Sequence, residues 1–435
     1  MRDLKELTGY DIITEEKIPE VNGTGYILSH KKTKARVLVI ANDDENKVFN
    51  IGFRTPPYDD SGIPHILEHS VLCGSRKYPV KDPFVELAKG SLNTFLNAMT
   101  YSDKTVYPIA SCNEKDFENL MDVYLDAVFY PNIYEHTEIM RQEGWHYELE
   151  TVEGELIYNG VVFNEMKGAF SSPEQQMYSK IEKLLLADTP YKNESGGDPA
   201  AIPTLSQERF LDFHRKYYHP SNSYIYLYGD LDMYKELDYI DKEYLSSFDY
   251  REIDSAIAVQ TAYEQMKDES CFYSIAENES EENQTFLTYN MVVGSSLDKK
   301  QSVAMNILEY AIMDAPGAPL KKALVDAGIG EDVFASFDDG IRQTIFSIVA
   351  RNANMSDKER FVSVIRDTLT DLSGHGEEGK AIDRTSIEAA INNFEFKHKE
   401  ANFGRFPKGL MMGLDAFNTW LYDDASALEM FKLNE

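Results

Sequence analysis

Apolar residues alternate with polar ones over residues 47–53, where Phe49, Ile51 and Phe53 fall on one face. A period of two is the signature of a strand, and the run stops at Thr55-Pro56-Pro57. Similar runs at 25–28 and 35–40 precede it, and another at 223–228 ends in Gly229-Asp230. A helical pattern takes over at 114–129, 165–186 and 207–217. Residues 160–163 are apolar and read as a strand leading into Asn164, a good N-cap, so that Glu165 opens the following helix. Residues 92–100 alternate loosely, as an edge strand does.

The second half repeats the style. Residues 285–293, 333–337 and 344–350 are strand-like, 299–313 is helical, and 358–372 is an amphipathic helix. A final run, Asn402-Phe403-Gly404-Arg405-Phe406-Pro407, leads into a helix ending near Leu421. The pattern predicts an α/β (α+β) chain with a first domain over 1–250, a polar and acidic connector over 251–270, and a second domain over 271–435. A chain of 435 residues supports two or three domains, each with a sizeable core.

Composition narrows the function. Hydrophobic content of 43% is a globular value, and no stretch reaches the 18 or so apolar residues of a membrane span. The net charge of −31 argues against nucleic acid and anionic membranes, which require clustered Lys and Arg. Part of that acid keeps the surface solvated; the sharper but less favoured reading is that some of it lines a chamber whose field collects basic peptides. Three cysteines, Cys73, Cys112 and Cys271, are too few for a disulfide framework. The N-terminus has neither a signal core nor an Arg-rich transit pattern, so a reducing cytoplasm is the expected home.

The chemistry lies in His65-Ile66-Leu67-Glu68-His69. At roughly 100° per residue the two imidazoles sit about 40° apart around a helix, and Glu68 lies about 60° to the other side of His65. Two neutral imidazoles can hold zinc while the carboxylate stands beside the water it activates. A turn-rich stretch, Tyr58 to Gly62, and then Pro64 suit the start of that helix, and Ile66, Leu67, Val71 and Leu72 give it a buried side. Unpaired histidines there would be costly. A zinc site of this kind needs a third protein ligand and an open position. Glu165 is the best candidate, and spacing alone leaves Glu86, Glu143 and Glu148 open. Cys73 reads as a small buried hydrophobe rather than a ligand.

Around this motif stand Ser70-Val71-Leu72-Cys73-Gly74-Ser75, Asp82-Pro83-Phe84, Leu92-Asn93-Thr94-Phe95-Leu96-Asn97-Ala98, Gln142-Glu143-Gly144-Trp145, Ser195-Gly196-Gly197-Asp198-Pro199 and Tyr218-His219-Pro220-Ser221-Asn222. As a set they resemble the pitrilysin/insulinase family of zinc metallopeptidases, nearest to its presequence protease branch. The resemblance implies two homologous α/β-roll domains, each a mixed or antiparallel sheet packed with helices, the second without the metal motif. It implies His65, His69 and Glu165 as zinc ligands and Glu68 as general base. It places Asn97, Ala98 and Met99 beside the scissile bond and Leu72 and Phe84 in the specificity pocket. Tyr158 stands where pitrilysin-type enzymes carry another glutamate, so no role for a carboxylate is carried over there.

Family members of this branch have a second half that supplies an Arg and a Tyr to the substrate, and the sequence ends near the close of the first half. The expectation is a zinc endopeptidase half that degrades short unstructured peptides. It would be weakly active alone and complemented by a C-terminal half or a partner chain, truncation being favoured. The alternative is a non-catalytic scaffold or peptide-binding subunit.

Overall fold

The computed structural model describes residues 2–81, 83–376, 381–400 and 403–432. Asp82 of the Asp82-Pro83-Phe84 run and Asn402 lie outside them. The chain opens with β1 (Tyr10–Ile18), β2 (Gly23–His30), β3 (Arg36–Ala41) and β4 (Lys47–Arg54), then α1 (Ile63–Val71) and α2 (Pro83–Gly90). Two short strands, β5 (Asn93–Leu96) and β6 (Met99–Thr100), lead into β7 (Lys104–Ser111). Next come α3 (Glu114–Phe129), α4 (Glu138–Glu143), the hairpin β8 (His146–Glu148) and β9 (Ile157–Asn159), α5 (Val161–Ala169) and α6 (Pro173–Leu185). They are followed by α7 (Gln207–Tyr217), β10 (Ser223–Gly229) and α8 (Met233–Glu243). The later elements are β11 (Thr285–Ser295), α9 (Lys299–Glu309), α10 (Pro319–Asp326), β12 (Asp332–Asp338), β13 (Gln343–Ala353), α11 (Lys358–Leu372), α12 (Arg384–Glu400) and α13 (Lys408–Trp420).

The described residues form two compact units that are not consecutive stretches of chain. The first comprises 1–175, 186–258 and 403–435; the second, 176–185 and 259–402. A boundary drawn along the sequence puts 403–435 with the second half, whereas here those residues belong to the first unit.

In the first unit the strands run β1-β2-β3-β10-β4-β7-β5, with β6 also on β7. Only β3 and β10 are parallel, Tyr224 standing opposite Arg36 and Gly229 opposite Ala41. Every residue of β10 is buried, because both faces of the sheet are covered. Ile225, Leu227, Phe49, Ile51, Phe53, Tyr107 and Ile109 pack under α1, α3, α7 and α8. The alternate residues Tyr224, Tyr226, Tyr228, Val48 and Val106 pack under α13 and the turn after it, through Leu410, Phe417, Trp420 and Phe431. Burying each such aromatic contributes about 2–3 kcal/mol. The helix sits close because it carries no side chain where it crosses the tyrosines: a Cβ on Gly409 or Gly413 would fall 2.1 Å or 2.3 Å from the rings of Tyr228 and Tyr226. Tyr226 Oη donates to Gly409 O at 2.9 Å.

The second unit is built on the antiparallel sheet β11-β13-β12. Phe346, Ile348 and Ala350 of β13 pack with Leu320 and Leu324 of α10 and Phe361 and Ile365 of α11. Helix α9 carries no histidine.

The mixed α/β architecture expected from the pattern is the one observed, with three local corrections. Residues 160–163 are not a strand: Gly160 turns the chain and α5 starts at Val161, so Val162, Phe163 and Met166 are buried at helical spacing. Asn164 is therefore inside the helix rather than its cap. The helix read over 165–186 is two helices, broken at 170–172 because Pro173 disfavours helical geometry in the residue before it. The strand read over 92–100 is interrupted at Asn97 and Ala98, which divide β5 from β6.

Candidate metal centre

Strand β4 ends at the prolines, and Gly62 starts α1 with Pro64 in its first turn. Ile66, Leu67 and Val71 bury one side of the helix against the first core. The opposite side presents His65 and His69, half-buried, with ring centroids 5.0 Å apart. Glu165, on the exposed side of α5, comes up to both: its Oε2 is 3.7 Å from Nε2 of His65 and 3.7 Å from Nε2 of His69. Ligand atoms of the three residues lie within 4.8 Å of one another, and no other such group of His, Cys, Asp and Glu occurs among the described residues. Glu86 and Glu148 are not part of it; Glu148 instead accepts from the Asn159 side chain across the β8–β9 hairpin.

The far nitrogen of each imidazole is occupied. Gly196 O is 3.1 Å from Nδ1 of His65 and can only accept, so that nitrogen carries the proton and Nε2 keeps its lone pair. Glu143, buried at the end of α4, sets Oε2 3.4 Å from Nδ1 of His69. Burial pulls the His69 imidazole down, but contact with Glu143 and the charges of Glu68, Glu143 and Glu165 outweigh it and raise its pKa above the ordinary value. Burial likewise pushes the Glu143 carboxyl up, and the His69 contact outweighs it and holds the group below the usual carboxylate range. Gln142 Nε2 donates to the other Glu143 oxygen at 3.0 Å.

The donor set fits zinc. Bonds near 2.1 Å in a tetrahedron place donors about 3.4 Å apart, within a few tenths of the two distances to Glu165. Imidazoles whose second nitrogen is held by a carbonyl or carboxylate are the usual form of such ligands.

Glu68 is 8% exposed. Its Oε2 accepts from the Thr100 hydroxyl at 2.7 Å, so the edge of the sheet fixes this carboxylate beside the histidines. The other expected site residues are spread around this edge. Asn97 is exposed, its carbonyl accepting from Tyr124 Oη at 3.2 Å. Ala98 is buried in the first core, with Leu72 and Phe84 partly buried against it. Met99 packs with the second core, on the other face from Thr100.

Sequence reasoning missed Thr100 and Gly196 and set Glu143 among rival ligands rather than behind His69. A hydroxyl or a carbonyl leaves no signal in spacing. The Gln142-Glu143-Gly144-Trp145 run marked the place without giving the role.

Comparison with known proteins follows the same lines. Residues 48–179 match the profile of Insulinase (Peptidase family M16), and residues 204–394 that of the Peptidase M16 inactive domain. The chain is 53% identical over 416 residues to Protein HypA of Clostridium perfringens, covering 96% of this chain and 42% of that protein. It is 42% identical over 426 residues to Presequence protease 1, chloroplastic/mitochondrial, of Arabidopsis thaliana, covering 97% of this chain and 39% of the other. The crystal structure of pitrilysin superposes with a TM-score of 0.66 at 17% identity, over 98% of this chain and 45% of that one. The chain thus spans about two fifths of the relatives it matches in sequence. By profile, sequence and fold together, the chain belongs to the pitrilysin/insulinase family of peptidases, in its presequence protease branch.

Proposed function

We propose that this chain is the zinc-binding half of an endopeptidase that cleaves short unstructured peptides. The observation that carries it is the convergence of His65, His69 and Glu165, with their back nitrogens held, beside a buried Glu68. His65, His69 and Glu165 would hold the metal. Zinc, when bound, supplies Lewis-acid chemistry that acidifies water and polarises a peptide carbonyl. Glu68, anchored by Thr100, takes the proton from the attacking water and passes it to the leaving amine. The unpaired edge of β5 and β6 is suited to align an extended peptide by main-chain hydrogen bonds. Asn97, Ala98 and Met99 would lie along it, and Leu72 and Phe84 would receive a side chain.

The related HypA and presequence protease 1 are more than twice as long, which supports a need for a C-terminal half or partner chain to complete the substrate chamber. No helix among the described residues is long and apolar enough to cross a membrane. Cys73, Cys112 and Cys271 are free thiols, and the proposed setting is a reducing cytoplasm.

The test is metal analysis together with peptide hydrolysis. Wild type should bind one zinc and His69→Ala none. Glu68→Gln should keep zinc and lose turnover in the complete enzyme. A Gln variant that cleaves at the wild-type rate, or a chain that binds no zinc, overturns the assignment.

A further inference from the structure

The groups that hold the two histidines from behind are delivered by backbone contacts between glycines. Glu143 ends α4, and the next residue, Gly144, abuts Gly160 at the start of α5. A Cβ on Gly160 would lie 2.2 Å from Gly144 O, and one on Gly144 would lie 2.8 Å from Met140 O and 3.1 Å from Ile66 Cγ2. Gly160 also has φ 156° and ψ 154°, a region essentially closed to other residues. Phe163 N–H donates to Gly144 O at 3.3 Å. This contact closes the base of the β8–β9 hairpin and brings the end of α4, with Glu143, against α5, with Glu165.

A second contact of the same kind stands behind His65. Gly62, with φ 70°, starts α1, and a Cβ there would lie 2.8 Å from Gly196 O and 2.8 Å from Gly197 Cα. Asp60 clamps the same loop, accepting from Glu194 N–H at 2.7 Å and, through its carbonyl, from Asp198 N–H at 2.8 Å.

We propose that Gly160 and Gly62 are positioning residues for the metal centre, one for each histidine. The absence of a side chain sets how near Glu143 and Gly196 O come to the two Nδ1 atoms, and so aims both Nε2 lone pairs at one point. The contacts to Nδ1, at 3.4 Å and 3.1 Å, have no length to spare. One added carbon would part the backbones and free the imidazoles to turn. The proposal rests on the metal reading above.

Zinc affinity by chelator competition, and the visible spectrum of the cobalt(II) form, test it in the chain as it stands. Gly160→Ala and Gly62→Ala should bind zinc at least tenfold more weakly, the scale on which outer partners of metal ligands act, while keeping a folded thermal transition. The cobalt spectrum of each should shift. Gly168→Ala, on the same helix as Glu165 with open space around it, should match wild type. In a Glu143→Gln background most of the Gly160→Ala effect should vanish, because the glycine acts through that carboxylate. Affinities within threefold of wild type, or additive effects in the double variant, overturn the proposal. So does loss of the folded transition in both glycine variants, which would make the glycines requirements of the fold alone. A wild-type chain that binds no zinc is a separate result and removes the metal reading itself.

Discussion

Thr100 shows what a single hydroxyl contributes at this site. Its bond to the buried Glu68 is short and goes to a charged acceptor, the kind worth about 1.5–3 kcal/mol. Thr100→Val keeps the shape and removes the donor. In the complete enzyme kcat should fall by roughly ten- to a hundredfold, with zinc content unchanged; an unaltered kcat would show that Glu68 needs no such anchor. His214 is the opposite case, a histidine far from any metal role. Its Nε2 donates to Val128 O at 3.0 Å and its Nδ1 accepts from Tyr134 Oη at 2.7 Å. Burial lowers its pKa to about 4, against the partial support of the Val128 carbonyl. The unfolded chain takes up this proton near 6.5 and the folded chain only near 4, so stability is full above 6.5 and declines as pH falls between those values. Imidazole NMR should find the neutral Nε2–H tautomer down to about pH 4, and titration near 6.5 would refute it. Of the three residues that converge at the candidate centre, the histidine pair was legible from one five-residue motif, because a helix fixes the spacing of its own side chains. Glu165 needed the family resemblance, since nothing local ties it to α1.

At the scale of elements, central strands were legible and connections were not. Residues 47–54 declared themselves by alternation, and β10 by a run of β-branched, aromatic and leucine residues that suits a strand buried on both faces. Val161, Val162 and Phe163 misled for the same reason, since a short apolar run looks alike in a strand and a buried helix. Helix α13 was legible as a helix, but its partner was not, because small residues at i and i+4 say only that something comes close. Gly413→Ala should force the helix off Tyr226 and cost about 1–3 kcal/mol. Thermal unfolding followed by tryptophan fluorescence checks this, with Trp420 on the same helix; an unchanged midpoint would mean that the ring simply moves aside.

Both tryptophans, Trp145 and Trp420, belong to the first unit, so their fluorescence reports that unit alone. Zinc at a hundred times its dissociation constant adds about 2.7 kcal/mol to a unit that binds it only when folded. The tryptophan-monitored midpoint should rise by roughly 5–10 °C with zinc and fall back with a chelator. An equal midpoint in both conditions would deny the coupling of metal to this unit. The return of residues 403–431 to the first sheet has a further consequence, for the order of events at the ribosome. The metal motif is made early, but the second face of its sheet stays uncovered until α13 and the turn after it emerge. At about 5–20 residues per second, the nascent chain carries that uncovered face for tens of seconds. The order in which the chain is written thus leaves apolar sheet surface open to chaperones during that interval, and the sheet that carries Thr100 is covered on both faces only at its end.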